Sequence, residues 1–341
     1  MNRSLFRAFI SILAAGLLVA STTTSVSQAA TTASAASTKP TYTFTVDIAV
    51  AQTTAQRYGG LDATISLLAD QWKKVNSQFN GDGRLQAVYQ FSVVSSHQYA
   101  DDAPSEVGRL HPSTNVKVIY DEDTSMTFGW NRNEQTIVVK PFPGTGGILG
   151  SDTTDGVVHE LGHYRGAVDE YACNITEPPK NPVNGWTFRE IPSIMSVSQK
   201  ATSWSPYAAG LINLQGSRKD EPYPSLASTA LPPLTVSTTT NAFRTPVQAR
   251  VRMYPVIWYS GQVNATPSQQ VQTNKNGHYT FSVNPFTADP DINVPWNLRY
   301  CLLLVRAEWN GKVNYSWLPL AAVGGAYFNS RTKPYVHMIN F

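Results

Sequence analysis

Apolar and polar residues alternate along TYTFTVDIAVA, residues 41–51, which predicts a strand. A different period follows. Leu61, Ile65, Leu68, Trp72, Val75 and Phe79 recur at helical spacing through 61–80, and Asn80-Gly81 closes the run. LQAVYQFSVVSS (85–96), NVKVIYD (115–121) and QTIVVKPF (135–142) again read as strands, the last cut off by Pro141 and Pro143. A Gly-rich loop then leads to Asp152, which reads as the N-cap of a second helix, with Asp155 as its capping-box partner. The order strand, helix, strands, helix predicts a mixed α/β domain over 41–220.

The pattern changes after a Pro-rich stretch, KDEPYPSLASTALPPL. Short strand candidates follow at 249–260, 277–286, 299–309 and 335–341, separated by turns such as Asn276-Gly277 and Asn310-Gly311, with no helical period among them. This predicts an all-β sandwich over 221–341. At the other end, a basic start with Arg3 and Arg7, an apolar run from Ala8 to Ala20 and a small-x-small site at Ser27-Gln28-Ala29 predict a signal peptide over 1–29. ATTASAASTKP, 30–40, reads as a linker. The mature chain is then expected to be secreted, with no membrane span of its own.

Composition agrees with export. Only 14% of residues are charged, so the surface is built mainly from neutral polar groups. Loss of Arg3 and Arg7 with the signal takes the formal charge from +3 to +1, and no basic patch for nucleic acid is present. The two cysteines, Cys173 and Cys301, allow one disulfide or two buried thiols.

The chemistry concentrates in VVHELGHYRGAVDEY, 157–171. His159 and His163 stand at i and i+4, so one helix face can aim two imidazoles at one ion. Glu160 lies about 100° round the helix, where it can reach water beside that ion rather than the ion itself. This is the arrangement of a zinc protease with Glu160 as general base. Gly166 then permits a left-handed turn that swings the chain back, and Asp169 faces the same place. Glu170 could bind the ion instead, or hydrogen-bond a ligand. Glu190 and Glu221 are weaker candidates, since neither sits in a helical pattern.

The segment resembles the metzincin signature HExxHxxGxxH with Asp in the last place. HELGHYRGAVDEY is most similar to the HExxHxxGxxDEY stretch of the IgA-peptidase family of metzincins. It also resembles a segment of the calcium-activated chloride channel regulator family, whose spacing is one residue longer. The resemblance implies a zinc endopeptidase with ligands His159, His163 and Asp169, base Glu160, and Met195 in a turn beneath the metal. It also implies that QTIVVKPF pairs with an extended substrate. Some metzincins carry a tyrosine two residues after that methionine. Val197 stands there in this chain, which leaves Tyr171 or Tyr207 as candidates for steadying the oxyanion.

Two weaker features complete the reading. Asp121-Glu122-Asp123 and Asp289-Pro290-Asp291 could bind calcium or could be turns. Trp258, Tyr259, Trp296, Trp309 and Trp317 could form a platform for a glycan, or pack the sandwich core. Two functions compete. One is a secreted zinc metalloendopeptidase acting on protein or peptide substrates. The other is a secreted binding or adhesion protein whose sandwich holds a glycan or protein ligand and whose zinc site is structural or silent. Glu160 favours the first, because a silent site needs no base there.

Overall fold

The computed structural model describes residues 38–341, apart from 101, 107–112, 132–134, 143–145, 197–200, 220–224, 241–242 and 288–294. The expected signal peptide, most of the linker, Glu221, Val197 and the acidic pair Asp289 and Asp291 lie outside the described residues.

The chain begins with β1 (Thr41–Ala51), α1 (Gln52–Arg57), α2 (Leu61–Phe79), β2 (Val88–Tyr99) and α3 (Ala103–Glu106). It continues through β3 (Val116–Tyr120), β4 (Gly129–Asn131), β5 (Thr136–Val139), α4 (Ser151–Tyr164) and α5 (Pro206–Gln215). The first sheet has the order β2-β1-β3-β5-β4. Its strands are parallel except β4, which runs antiparallel to β5. Parallel β1 and β2 need a crossover, and α2 supplies it. Leu68, Trp72, Val75 and Phe79 of α2 are buried against the sheet, at about 2 kcal/mol each. The C-terminal part of β1 is buried on both faces, because Ala49 and Ala51 meet a second small cluster with Tyr99, Ala103 and Ile119. The sheet is thus mixed α/β, as the periods predict.

Two expectations change here. Helix α4 starts after Gly150, which is extended at φ −61° and ψ 155°, and no side chain caps it; Asp152 sits in the first turn instead. A preceding turn at Gly147–Leu149 delivers the chain there, and glycine costs only a few tenths of a kcal/mol relative to Asp or Ser at a cap. QTIVVKPF is not an edge strand. Its β5 core lies between β3 and β4, so both of its edges are paired, and β4 forms the sheet's border.

The rest of the chain forms α6 (Ser225–Thr229), β6 (Leu234–Thr239), β7 (Arg250–Val256), β8 (Gln269–Gln272), β9 (His278–Thr280), β10 (Leu302–Trp309), β11 (Lys312–Pro319), α7 (Leu320–Asn329) and β12 (Tyr335–Asn340). Among the described residues it holds two sheets, ordered β11-β10-β7-β8 and β12-β6-β9, and none of the three sheets described closes into a barrel. It is not all-β. LAAVGGAYFN folds as α7, buried through Leu320, Val323 and Gly324, and packs on α5. That segment is apolar nearly all round, so no one-sided period marks it as a helix.

The second core is not confined to this half. Val168, Ala172, Cys173, Ile175, Tyr207 and Leu211 belong to it, whereas Val157, Val158, Leu161, Tyr164 and Ala167 belong to the first. The chain therefore crosses from one core to the other between Ala167 and Val168. Among the described residues no helix is long and apolar enough to cross a membrane.

His337 on β12 is buried with Nε2 2.7 Å from Ser316 Oγ, and burial pulls its pKa from 6.5 down to about 4. The unfolded chain takes up this proton near pH 6.5 and the fold only near 4, so stability falls as pH drops through that window. We expect the native protein to lose about 2–3 kcal/mol more than a His337→Gln variant between pH 7 and 4.5, measured by urea unfolding at both pH values. Parallel pH profiles for the two proteins would refute this.

Candidate metal centre

Helix α4 is buried on almost every side from Thr153 to Tyr164. Val157, Val158 and Leu161 enter the first core, to which neither His159 nor His163 belongs. Gly162 permits the packing beneath. A methyl group there would come within 2.8 Å of Met195 Sδ and 2.9 Å of the Trp204 ring. The helix ends at Arg165, whose amide donates to Leu161 and Gly162, and Gly166 takes φ +89°, a conformation that favours glycine. The chain reverses there and brings Asp169 back over the helix.

Asp169 Oδ1 then lies 3.0 Å from His159 Nε2 and 3.1 Å from His163 Nε2. The other ring nitrogens are also fixed. His159 Nδ1 lies 2.8 Å from the Ile194 carbonyl and His163 Nδ1 lies 3.0 Å from that of Ala167. A carbonyl only accepts, so each Nδ1 carries hydrogen and each neutral ring turns its Nε2 lone pair toward the carboxylate. Three electron-rich atoms converge in a buried place, and the arrangement calls for a positive centre among them. A proton can serve: burial lowers the His163 pKa, but the charge and hydrogen bond of Asp169 outweigh it and raise it to about 9. Burial pushes Asp169 up, and the two imidazoles hold it well below the usual carboxylate range.

A metal ion serves as well. The trio's ligand atoms lie within 4.8 Å of one another, and all three residues are buried. Two ligands about 2.0–2.1 Å from one tetrahedral ion are roughly 3.3 Å apart, close to the separations found here. The trio can therefore hold a metal ion. Glu160 lies beside it on α4, where Oε2 accepts from the Trp130 amide of β4 at 2.8 Å. The border strand of the first sheet thus grips the carboxylate next to the centre.

The other candidates fall into distinct places. Met195 is fully buried, and its carbonyl accepts from the amides of Glu170 and Tyr171 at 2.9 and 3.3 Å. Glu170 is outside the trio: it accepts from Ser193 Oγ at 2.6 Å and from Ser205 Oγ. Ser205 is also the N-cap of α5, so Glu170 ties together the Asp169 segment, the Met195 turn and α5. Burial pushes Glu170 up against the two serine hydrogen bonds. Tyr171 is half exposed with its ring 5.9 Å from His159, whereas Tyr207 is fully buried and donates to the Ala227 carbonyl at 2.9 Å, away from the trio. Glu190 lines a cleft of about 630 Å³ with Phe188, Trp204 and Tyr335, and burial beside Glu170 raises its pKa to about 8.

The acidic run 121–123 does not assemble a cation site. Glu122 accepts from Arg57, Tyr58 and the Ile148 amide, Asp123 pairs with Arg57, and Asp121 accepts from Tyr99. The cationic Arg57 takes the place an ion would need. Cys173 and Cys301 are buried thiols, and burial, then Cys301, pushes Cys173 up. Of the five C-terminal aromatics, Trp258, Tyr259 and Trp296 pack together, whereas Trp309 packs on Phe341 and Trp317 on Phe188.

Three further residues have partners that their local sequence does not signal. Arg165 is fully buried over Phe44 and donates to the carbonyls of Gly216 and Arg218 at 2.6 and 2.8 Å, anchoring the end of α4 to the end of α5. Tyr259 donates to Asp169 Oδ2 across 90 residues of chain. Trp296 stacks on the His163 ring, centroids 6.2 Å apart at 22°.

The tight Gly162 contact yields an expectation. Gly162→Ala should cost about 1–3 kcal/mol, measured by urea unfolding in chelator, because Met195 and Trp204 must shift. It should also weaken metal binding, since His159 hangs from the carbonyl of Ile194, next to Met195. Native stability with unchanged metal affinity would contradict this packing.

No protein-family model matches the chain, and no curated protein does. A search of solved structures finds a catalytically inactive OgpA from Akkermansia muciniphila in complex with an O-glycopeptide substrate, at 10% identity and TM-score 0.33, over 82% of this chain and 93% of that one. It also finds a chain from a chaperone–substrate complex at 11% identity and TM-score 0.32, over 52% of this chain. The match spans about a third of that second protein's length, 35%. At these scores neither likeness decides the fold.

Proposed function

We propose that the protein is a secreted zinc-dependent metalloendopeptidase, with a metzincin-like domain over 41–220 followed by a C-terminal half of two sheets and two helices that helps to position substrate. One observation carries the reading: two imidazole Nε2 atoms and one carboxylate oxygen converge, with a second carboxylate, Glu160, on the same helix. Two nitrogens and one oxygen form the ligand set of a catalytic rather than a structural zinc site, because three protein ligands leave a position open. The apolar run and small-x-small site at the N-terminus support export.

Bound zinc supplies Lewis acidity toward water and toward the scissile carbonyl. The chain's own residues do the rest. His159, His163 and Asp169 hold the ion, and the carbonyls of Ile194 and Ala167 fix the imidazole tautomers. Glu160 takes a proton from the attacking water and delivers it to the leaving amine. The Trp130 amide orients Glu160 Oε2, leaving Oε1 for the proton transfer. As the border of its sheet, β4 is the strand beside which an extended peptide can lie.

The test is cleavage of an unfolded protein by the zinc-loaded mature chain, with Glu160→Gln alongside. We expect the variant to bind zinc as the native protein does and to lose about 10²–10⁴ in kcat. Equal rates, or zinc bound by both with no cleavage of any protein or peptide, would overturn the reading.

A further inference from the structure

The metal trio comes wholly from residues 159–169, yet two side chains of the C-terminal half close over it. After β7, a turn at Trp258–Ser260 thrusts Tyr259 toward the seam, and its amide donates to the Ala172 carbonyl at 3.1 Å. Its hydroxyl donates to Asp169 Oδ2, the oxygen that does not face the imidazoles. Trp296 comes from a separate segment. It stacks on His163 and packs on Trp258 at 4.4 Å, and Trp258 Nε1 donates to the Leu298 carbonyl at 3.0 Å. The turn and the 295–298 segment are therefore locked to each other above the trio.

The backbone supports a functional purpose. Tyr259, Trp296 and Asn297 all take left-handed conformations, at φ 58°, 57° and 53°. Large aromatic residues rarely adopt these, and the cost is met where a site over-determines the geometry. The chain reverses here, with Val263 returning antiparallel to Val256, but a reversal alone does not call for a tyrosine. What the conformation achieves is delivery of one hydroxyl to one carboxylate oxygen.

We propose that Tyr259 is a positioning residue of the metal centre, which holds Asp169 as a one-oxygen ligand and makes the C-terminal half part of the site. This rests on the zinc reading above. An Asp carboxylate can give an ion one oxygen or both. Occupation of Oδ2 by the Tyr259 hydroxyl leaves Oδ1 alone at the centre and keeps a coordination position open for substrate chemistry. Trp296 excludes water from the far side of His163 and fixes the ring plane.

The experiment compares native protein with Tyr259→Phe, which keeps the ring contacts with Tyr171 and Trp296 and removes only the hydroxyl. Zinc affinity is measured by chelator competition, and the visible spectrum is recorded after cobalt substitution. Thermal unfolding of both proteins in chelator reports the fold. We expect zinc affinity to fall about 10- to 100-fold, with a cobalt spectrum shifted toward weaker, higher-coordinate absorption, while the metal-free proteins melt alike. Native zinc affinity and an unchanged cobalt spectrum in Tyr259→Phe would overturn the proposal and leave the peptidase reading intact. Failure of the native protein itself to bind zinc would overturn both. Should Tyr259→Phe melt lower, its cobalt spectrum recorded well below the melting temperature decides: a native spectrum makes the role structural and the proposal fails.

Discussion

Two imidazole nitrogens face one carboxylate oxygen at 3.0 and 3.1 Å, and all three residues are buried. Such an arrangement is repulsive unless a positive centre stands among them, and the surrounding structure exists to hold it regardless. Nδ1 of each histidine is tied to a backbone carbonyl, so neither ring can turn its lone pair away. Asp169 cannot retreat, because Glu170, the next residue, is bonded to two serines and to the Met195 carbonyl. The donor atoms are thus held in place before a cation enters, and the entering ion displaces the proton that Asp169 favours on His163.

The position of this site follows from how the chain is divided. Most buried residues up to Ala167 pack into the core on one face of the five-stranded sheet, and Val168 begins the contribution to the second core. Asp169 therefore sits where two hydrophobic interiors meet. A ligand fixed between two cores is held from both sides. Helix α5 belongs to the same seam, with Ala208 and Ile212 in one core and Tyr207 and Leu211 in the other. The C-terminal half thus acts on the metal centre through packing as well as through Tyr259.

Periodicity made the first half legible. The apolar stripe of α2 survives because it buries one definite face, and the alternation in β1 holds over its N-terminal half, before the strand is buried on both faces. The i and i+4 histidines were readable for the same reason, since helix geometry alone brings them together. The reversal at Gly166 was readable because glycine marks a left-handed turn. What escaped depends on pairing across long separations. Strand β4 has only three residues, too few to show a period, and its role as the border comes from its neighbour. Helix α7 is apolar without a polar face. Tyr259 could be singled out as an aromatic, but nothing near it in sequence reveals a partner 90 residues earlier. Arg165 is a charged residue at a helix end, with nothing in its local sequence to mark it as fully buried.

X-ray absorption at the zinc edge of the zinc-loaded mature protein tests the central claim most directly. A single ion per chain, with two imidazole nitrogens and one carboxylate oxygen at about 2.0–2.1 Å, is the expected result. A shell without imidazole scattering, a shell containing sulfur, or less than stoichiometric zinc would contradict it.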